Sequence, residues 1–134
     1  MSWAAQYVGI AFEEKGRGAR VDCWGLLWRV YREVRGIELP QFLESYEGTH
    51  GDGMRQIAEA IRANESHWMR IQPGSEREFD GVLVRMMGLP MHVGIVIAPG
   101  QMLHVMEGYT ARIDRYRTRI WEKKILGFYR YADA

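Results

Sequence analysis

Val21-Asp22-Cys23-Trp24-Gly25-Leu26-Leu27 holds the only cysteine of the 134-residue chain, at the start of an amphipathic run. Asp22 is a good N-cap, because its carboxylate can accept from the open amides of the next turn. From Cys23 to Arg35 the apolar residues Trp24, Leu27, Trp28, Tyr31 and Val34 recur at three- and four-residue steps, with Arg29, Arg32 and Glu33 facing water. That spacing predicts a helix. Gly36 suits the left-handed position that closes it. Upstream, residues 2–10 read as a short helix with Trp3, Tyr7 and Val8 on one face, and residues 13–20, containing Gly16 and Gly18, read as a loop.

Downstream, Pro40 and the Gly-rich residues 47–53 make a loop, and residues 54–62 give a second helix through Ile57, Ala58 and Ile61. The period then changes. Trp68-Met69-Arg70-Ile71 is a candidate short strand. Val82-Leu83-Val84-Arg85-Met86, Val93 to Ile97 and Met102 to Met106 are β-rich runs, separated by Gly88-Leu89-Pro90 and Ala98-Pro99-Gly100. Residues 112–116 and 125–131 could add more. Helices first and then strands joined by short turns predict an α+β fold, with N-terminal helices packed on an antiparallel sheet of about five strands. No internal boundary or repeat interrupts residues 1–134, so one domain is expected.

The composition, 47% hydrophobic and 26% charged with a net charge of +1, is that of an ordinary globular protein and selects no acidic or basic partner. A single cysteine excludes an intrachain disulfide. No apolar run reaches the roughly 18 residues of a membrane span, so no membrane association is expected. No basic-then-apolar leader opens the sequence, so the expectation is synthesis in the cytoplasm without a signal peptide.

A thiol becomes a nucleophile as thiolate, and a helix N-terminus or a nearby imidazolium can lower its pKa. Cys23 is placed for the first effect. His92, in Met91-His92-Val93-Gly94-Ile95, is the candidate general base, and the open amides at the helix start are candidate oxyanion donors. His104, in Met102-Leu103-His104-Val105-Met106, can orient His92 only if the two share a sheet face. If Ile97 pairs with Gln101 across a three-residue loop, His104 falls opposite Gly94 and diagonal to His92, at roughly 7 Å between backbones. A two-residue Pro99-Gly100 loop would put the rings on opposite faces. The pairing therefore demands an odd-numbered loop or a bulge.

Asp22-Cys23-Trp24-Gly25-Leu26, His92-Val93-Gly94-Ile95 and Leu103-His104 resemble the three motifs of the NlpC-type cell-wall peptidases, which are papain-like cysteine peptidases acting on peptidoglycan stem peptides. Phe79-Asp80-Gly81-Val82 resembles the strand that precedes the family's His motif, with the Gly-Asp order inverted. The resemblance implies Cys23 as nucleophile, His92 as base and His104 as orienting residue. It implies no metal or organic cofactor. It points to the bond between D-glutamate and the diamino acid. Trp24 after the cysteine and the closing Ile125-Leu126-Gly127-Phe128-Tyr129-Arg130 resemble the phage-tail and gene-transfer-agent branch. That branch implies action in a virion tail or at the cell wall, during particle entry or release, with phage tail proteins as further partners. The family's tyrosine before the cysteine is Phe12 here. Oxyanion and substrate contacts are then expected from the Asp22 to Trp24 segment, or from Tyr7.

Bland readings stand beside these. A lone cysteine is commonly a small buried hydrophobe, and a strand histidine commonly a hydrogen-bonded core residue. Cys23, His92 and His104 as a zinc set would lack the close local ligand pair usual in such sites. The basic residues from Arg112 to Lys124 read as a solvated face, with no aromatic interleaving that would suggest nucleic acid. A structural tail component retaining the fold with little catalysis, or an acyltransferase or amidase on another substrate, remains compatible with the same residues.

Overall fold

The computed structural model describes residues 3–41, 59, 67–86 and 89–132. Helix α1 runs Cys23–Val30 and continues as a π-helical turn, Tyr31–Arg35. The strands are β1 (Trp68–Ile71), β2 (Gly81–Met86), β3 (Leu89–Ala98), β4 (Gln101–His104), β5 (Arg112–Arg115) and β6 (Ile125–Tyr131), with a four-residue helix α2 (Arg119–Glu122) before β6. They form one antiparallel sheet of six strands in the order β1-β6-β2-β3-β4-β5, one strand more than expected. The helix expected over residues 54–62 falls outside the described residues except at Glu59, which is helical.

The start of α1 is fixed by a compact set of contacts. Asp22 sits in extended backbone and accepts from the Gly25 N–H at 2.7 Å. Arg17 clamps the same carboxylate at 2.9 Å, and the Lys15 amide donates to its other oxygen at 3.0 Å. Gly25 allows this closeness, since a Cβ there would lie 2.1 Å from the Gly16 carbonyl oxygen. At the other end Gly36 takes the left-handed conformation, φ 67°, and its N–H returns to the Tyr31 carbonyl.

Alternation along the strands divides the core in two. Leu83, Val93, Ile95 and Leu103 pack with Leu26, Leu27 and Val30 of α1. Val82, Val84, Val96, Met102 and Phe128 form the second face with Tyr116, and Trp121 and Ile125 pack against it. The β3–β4 connection settles the register. Ala98 pairs with Gln101 across a two-residue Pro99-Gly100 turn, whereas the three-residue loop was one of the expected forms. A bulge between Val96 and Ala98 then restores the pairing Val96–Met102 and Ile95–Leu103. The bulge supplies the extra residue that a two-residue turn lacks. Leu89 and Pro90, expected between strands, belong to β3 and pair with Met86 and Arg85.

Candidate active site

With Ile95 opposite Leu103, Gly94 comes opposite His104, and a Cβ at Gly94 would sit 3.4 Å from the His104 Cβ. His92 is then the diagonal neighbour on the same face, opposite Val84 of β2. The rings meet: His92 Nε2 lies 2.7 Å from His104 Nδ1, with centroids 5.0 Å apart. Both side chains are buried, His92 4% and His104 1% exposed.

The same diagonal step repeats on the next strand. His104 lies opposite Arg112 of β5 and Met102 opposite Asp114, so Asp114 is diagonal to His104. His104 Nε2 is 2.7 Å from Asp114 Oδ2, and Arg112 Nε donates to that oxygen at 2.8 Å. The His104 ring stands perpendicular to Trp121 of α2, with centroids 5.4 Å apart. Asp114 was not singled out from the sequence, because its face depends on the β4–β5 register, which the irregular residues 105–111 conceal.

Cys23 is 3% exposed in the α1 cluster. Its sulfur accepts from the backbone N–H groups of Val93 and Trp24. The Val96 N–H and carbonyl both turn toward β2, to Asp80 and Phe79. Val93, an odd number of residues away, therefore turns its amide toward the β4 side, where β4 has ended at His104. The sulfur thus lies against the peptide joining His92 to Val93, on the β4 side of β3. Among the described residues His92 Nδ1 has no hydrogen-bond partner, and it is the ring nitrogen nearer that peptide. Thiol–imidazole hydrogen bonds commonly tighten only with substrate bound.

Burial decides the electrostatics. It pushes the Cys23 thiol well above its ordinary range, and the Asp22 carboxylate adds to this; the Val93 and Trp24 amides and Arg17 pull back less. The expectation that the helix start leaves a lowered thiol pKa is thereby corrected: the amides act as expected, but desolvation outweighs them. His92 is pulled down to about 3, first by burial and then by the neighbouring His104. His104 is also lowered, burial outweighing the hydrogen bond and charge of Asp114. For Asp114 burial raises the pKa, but the His104 and Arg112 contacts prevail and hold it below the usual carboxylate range. At neutral pH the site holds a thiol, neutral imidazoles and a carboxylate.

The other candidate residues are placed differently. Asp22 is fully buried and engaged by Gly25, Lys15 and Arg17, so its carboxylate builds the helix start. The Trp24 indole donates to the Pro40 carbonyl and meets Trp68 edge-on, within the core; only its backbone amide faces the sulfur. Tyr7 is not brought to the site. Its hydroxyl donates to Glu33 at 2.8 Å, ten residues beyond Cys23 and so on the order of 15 Å along the helix. Phe12 bridges to Val21 beside the cysteine motif, where a ring without hydroxyl donates nothing. Among the described residues no cluster of three or more His, Cys, Asp or Glu could hold a metal ion, and no helix is long and apolar enough to cross a membrane.

Comparison with known proteins agrees with this frame. A family model described as NlpC/P60 matches residues 9–130. The fold is similar to an NlpC/P60 family protein from Bacillus cereus (TM-score 0.67, 19% identity, 96% of this chain and 37% of that one). It is also similar to an NLP/P60-family protein from Staphylococcus aureus described as similar to lipoprotein (TM-score 0.65, 19%, 95% and 38%). A third similar structure is the NlpC/p60 domain of peptidoglycan hydrolase SagA (TM-score 0.62, 20%, 94% and 90%). The chain thus spans less than two fifths of the first two proteins. A search of curated protein sequences finds no match.

Proposed function

The chain belongs to the NlpC/P60 family, and from that premise we propose that it is a cysteine peptidase hydrolysing an amide bond of peptidoglycan stem peptides. Cys23 attacks the scissile carbonyl while its proton passes to His92 Nδ1. The backbone amides of Cys23 and Trp24, at the helix start, stabilise the oxyanion, since the Gly25 amide is held by Asp22. His92 then gives the proton to the leaving amine, and water, activated by the same ring, hydrolyses the Cys23 thioester. Since thiol and imidazole are both neutral at rest, proton transfer accompanies attack rather than preceding it. The observation carrying this reading is the 2.7 Å His92–His104 contact ending at the peptide whose amide holds the sulfur.

The finer reading is cleavage between D-glutamate and the diamino acid, by a phage-tail or gene-transfer-agent peptidase opening the wall for particle entry or release. Trp24 after the nucleophile and the closing Ile125–Tyr131 strand support it. One set of observations favours a second reading, a tail component with the fold and little catalysis: the raised thiol and the phenylalanine at position 12. Digestion of purified peptidoglycan with wild type and Cys23→Ser, followed by fragment masses, separates them. Hydrolysis predicts new termini at the D-glutamyl bond with wild type only. A folded wild type releasing nothing supports the structural role.

A further inference from the structure

Three strands carry their polar groups in one line, His92 on β3, His104 on β4 and Asp114 on β5, each joined to the next at 2.7 Å. We propose that Asp114 is a positioning residue of the site: it sets the tautomer of both histidines, so that His92 presents an unprotonated Nδ1 to Cys23. This deepens the hydrolase reading and rests on it.

The argument is one of donors and acceptors. An ionised carboxylate only accepts, so His104 Nε2 carries a proton toward Asp114. Neutral His104 then has a bare Nδ1, which only accepts. Its partner, His92 Nε2, must therefore carry the proton, and neutral His92 is left with a bare Nδ1. Without Asp114, His104 is free to protonate Nδ1 instead, His92 Nε2 becomes the acceptor, and Nδ1 gains the proton that makes it useless as a base. Arg112 keeps the carboxylate ionised and in place, since it bonds the same Oδ2 that His104 uses.

The carboxylate also acts by charge. When His92 takes the thiol proton, the positive pair His92–His104 faces one negative group through His104. The groups around it are Cys23 of α1 with Asp22 and Arg17 beside it, Arg112 and Asp114 of β5, and the uncharged Trp121 of α2, over which Lys124 lies at 5.5 Å. Asp114 is therefore the carboxylate in contact with the ring pair. Removing its charge disfavours protonation of the pair, so the acid limb of the kcat/KM profile should move to lower pH.

The test uses Asp114→Ala, Asp114→Asn and Asp114→Glu in the full chain, each checked for unchanged melting. The readouts are ring-nitrogen NMR of the histidines and the pH profile on stem peptides. Wild type is expected to show protons on His104 Nε2 and His92 Nε2 only. Asp114→Ala should mix the tautomers and lower kcat on the order of tenfold or more with little change in KM. Asp114→Asn, whose amide oxygen Arg112 holds in the place of Oδ2 so that it still accepts from His104 Nε2, should keep the tautomers and shift the acid limb down. Asp114→Glu should recover part of the loss. Unchanged tautomers in Asp114→Ala, or a uniform loss at all pH values with no shift of the acid limb in Asp114→Asn, overturns the proposal. The NMR arm needs no turnover: tautomers that respond in a protein hydrolysing nothing would uphold the positioning and defeat the hydrolase reading instead.

Discussion

Two buried polar networks cross the same sheet and end differently. On the β2–β6 side, Asp80 is held by Arg130 through both carboxylate oxygens, 2.9 Å each, and by the Arg77 amide. Nearby, Glu76 accepts from Tyr116, the Gly74 amide and Arg117. Each carboxylate is satisfied and closed on itself. The β3–β4–β5 line, by contrast, starts at the ion pair Arg112–Asp114, passes through His104, and stops at His92, whose Nδ1 has no hydrogen-bond partner among the described residues. A closed network fastens the fold, whereas an open one next to a nucleophile has proton capacity to spend. His92 and His104 are as buried as Asp80 and Glu76, while Arg112 and Asp114 at the far end of the line are partly exposed, so at the buried end the difference lies in satisfaction rather than burial.

Breaking the closed network should give the largest change in stability. Arg130→Met leaves Asp80 charged and buried, and should lower unfolding free energy by about 3 kcal/mol in urea titration. The alkylation rate of Cys23 in the folded variant should scarcely move. A large effect on Cys23 with little loss of stability would reverse the comparison.

A smaller effect sharpens the open network. His92 has its folded pKa pulled down to about 3, below its unfolded value near 6.5. Its contribution to stability is therefore fully present above about pH 6.5 and is lost as the pH falls toward 3, because the unfolded chain takes up the proton first. The slope is at most about 1.4 kcal/mol per pH unit for this one ring. Urea titrations at pH 7, 6 and 5 should show wild type weakening and His92→Gln weakening less. Equal slopes would mean that His92 titrates normally and is not enclosed as described.

Much of this was legible in the sequence, for reasons that can be named. The start of α1 was readable because Asp22 and Gly36 are local signals, and local hydrogen bonds obey them. The His92–His104 pairing was readable as a condition, because alternation turns a loop length into a face. The structure meets it by a bulge after Val96 rather than by a longer turn. Gly94 faces His104 as that register requires. The Arg17 clamp on Asp22 was not readable, since Arg17 lies in a loop whose path no periodicity dictates. Asp114 escaped because residues 105–111 hide its register. The direction of the Tyr7 hydroxyl, named as the alternative oxyanion contact, was not readable either: it turns to Glu33, and a sequence gives a hydroxyl no direction. The thiol's electrostatics followed burial, which depends on packing that a helix-start motif does not encode.

The central claim is that Cys23 and His92 act as one chemical pair. The direct measurement uses a stem-peptide analogue with a vinyl sulfone in place of the scissile amide, and intact-protein mass to follow its addition to Cys23. Wild type should form the adduct, and His92→Ala should form it on the order of a hundredfold more slowly, since no base then takes the thiol proton. Adduct formation at the same rate in both proteins would contradict the account.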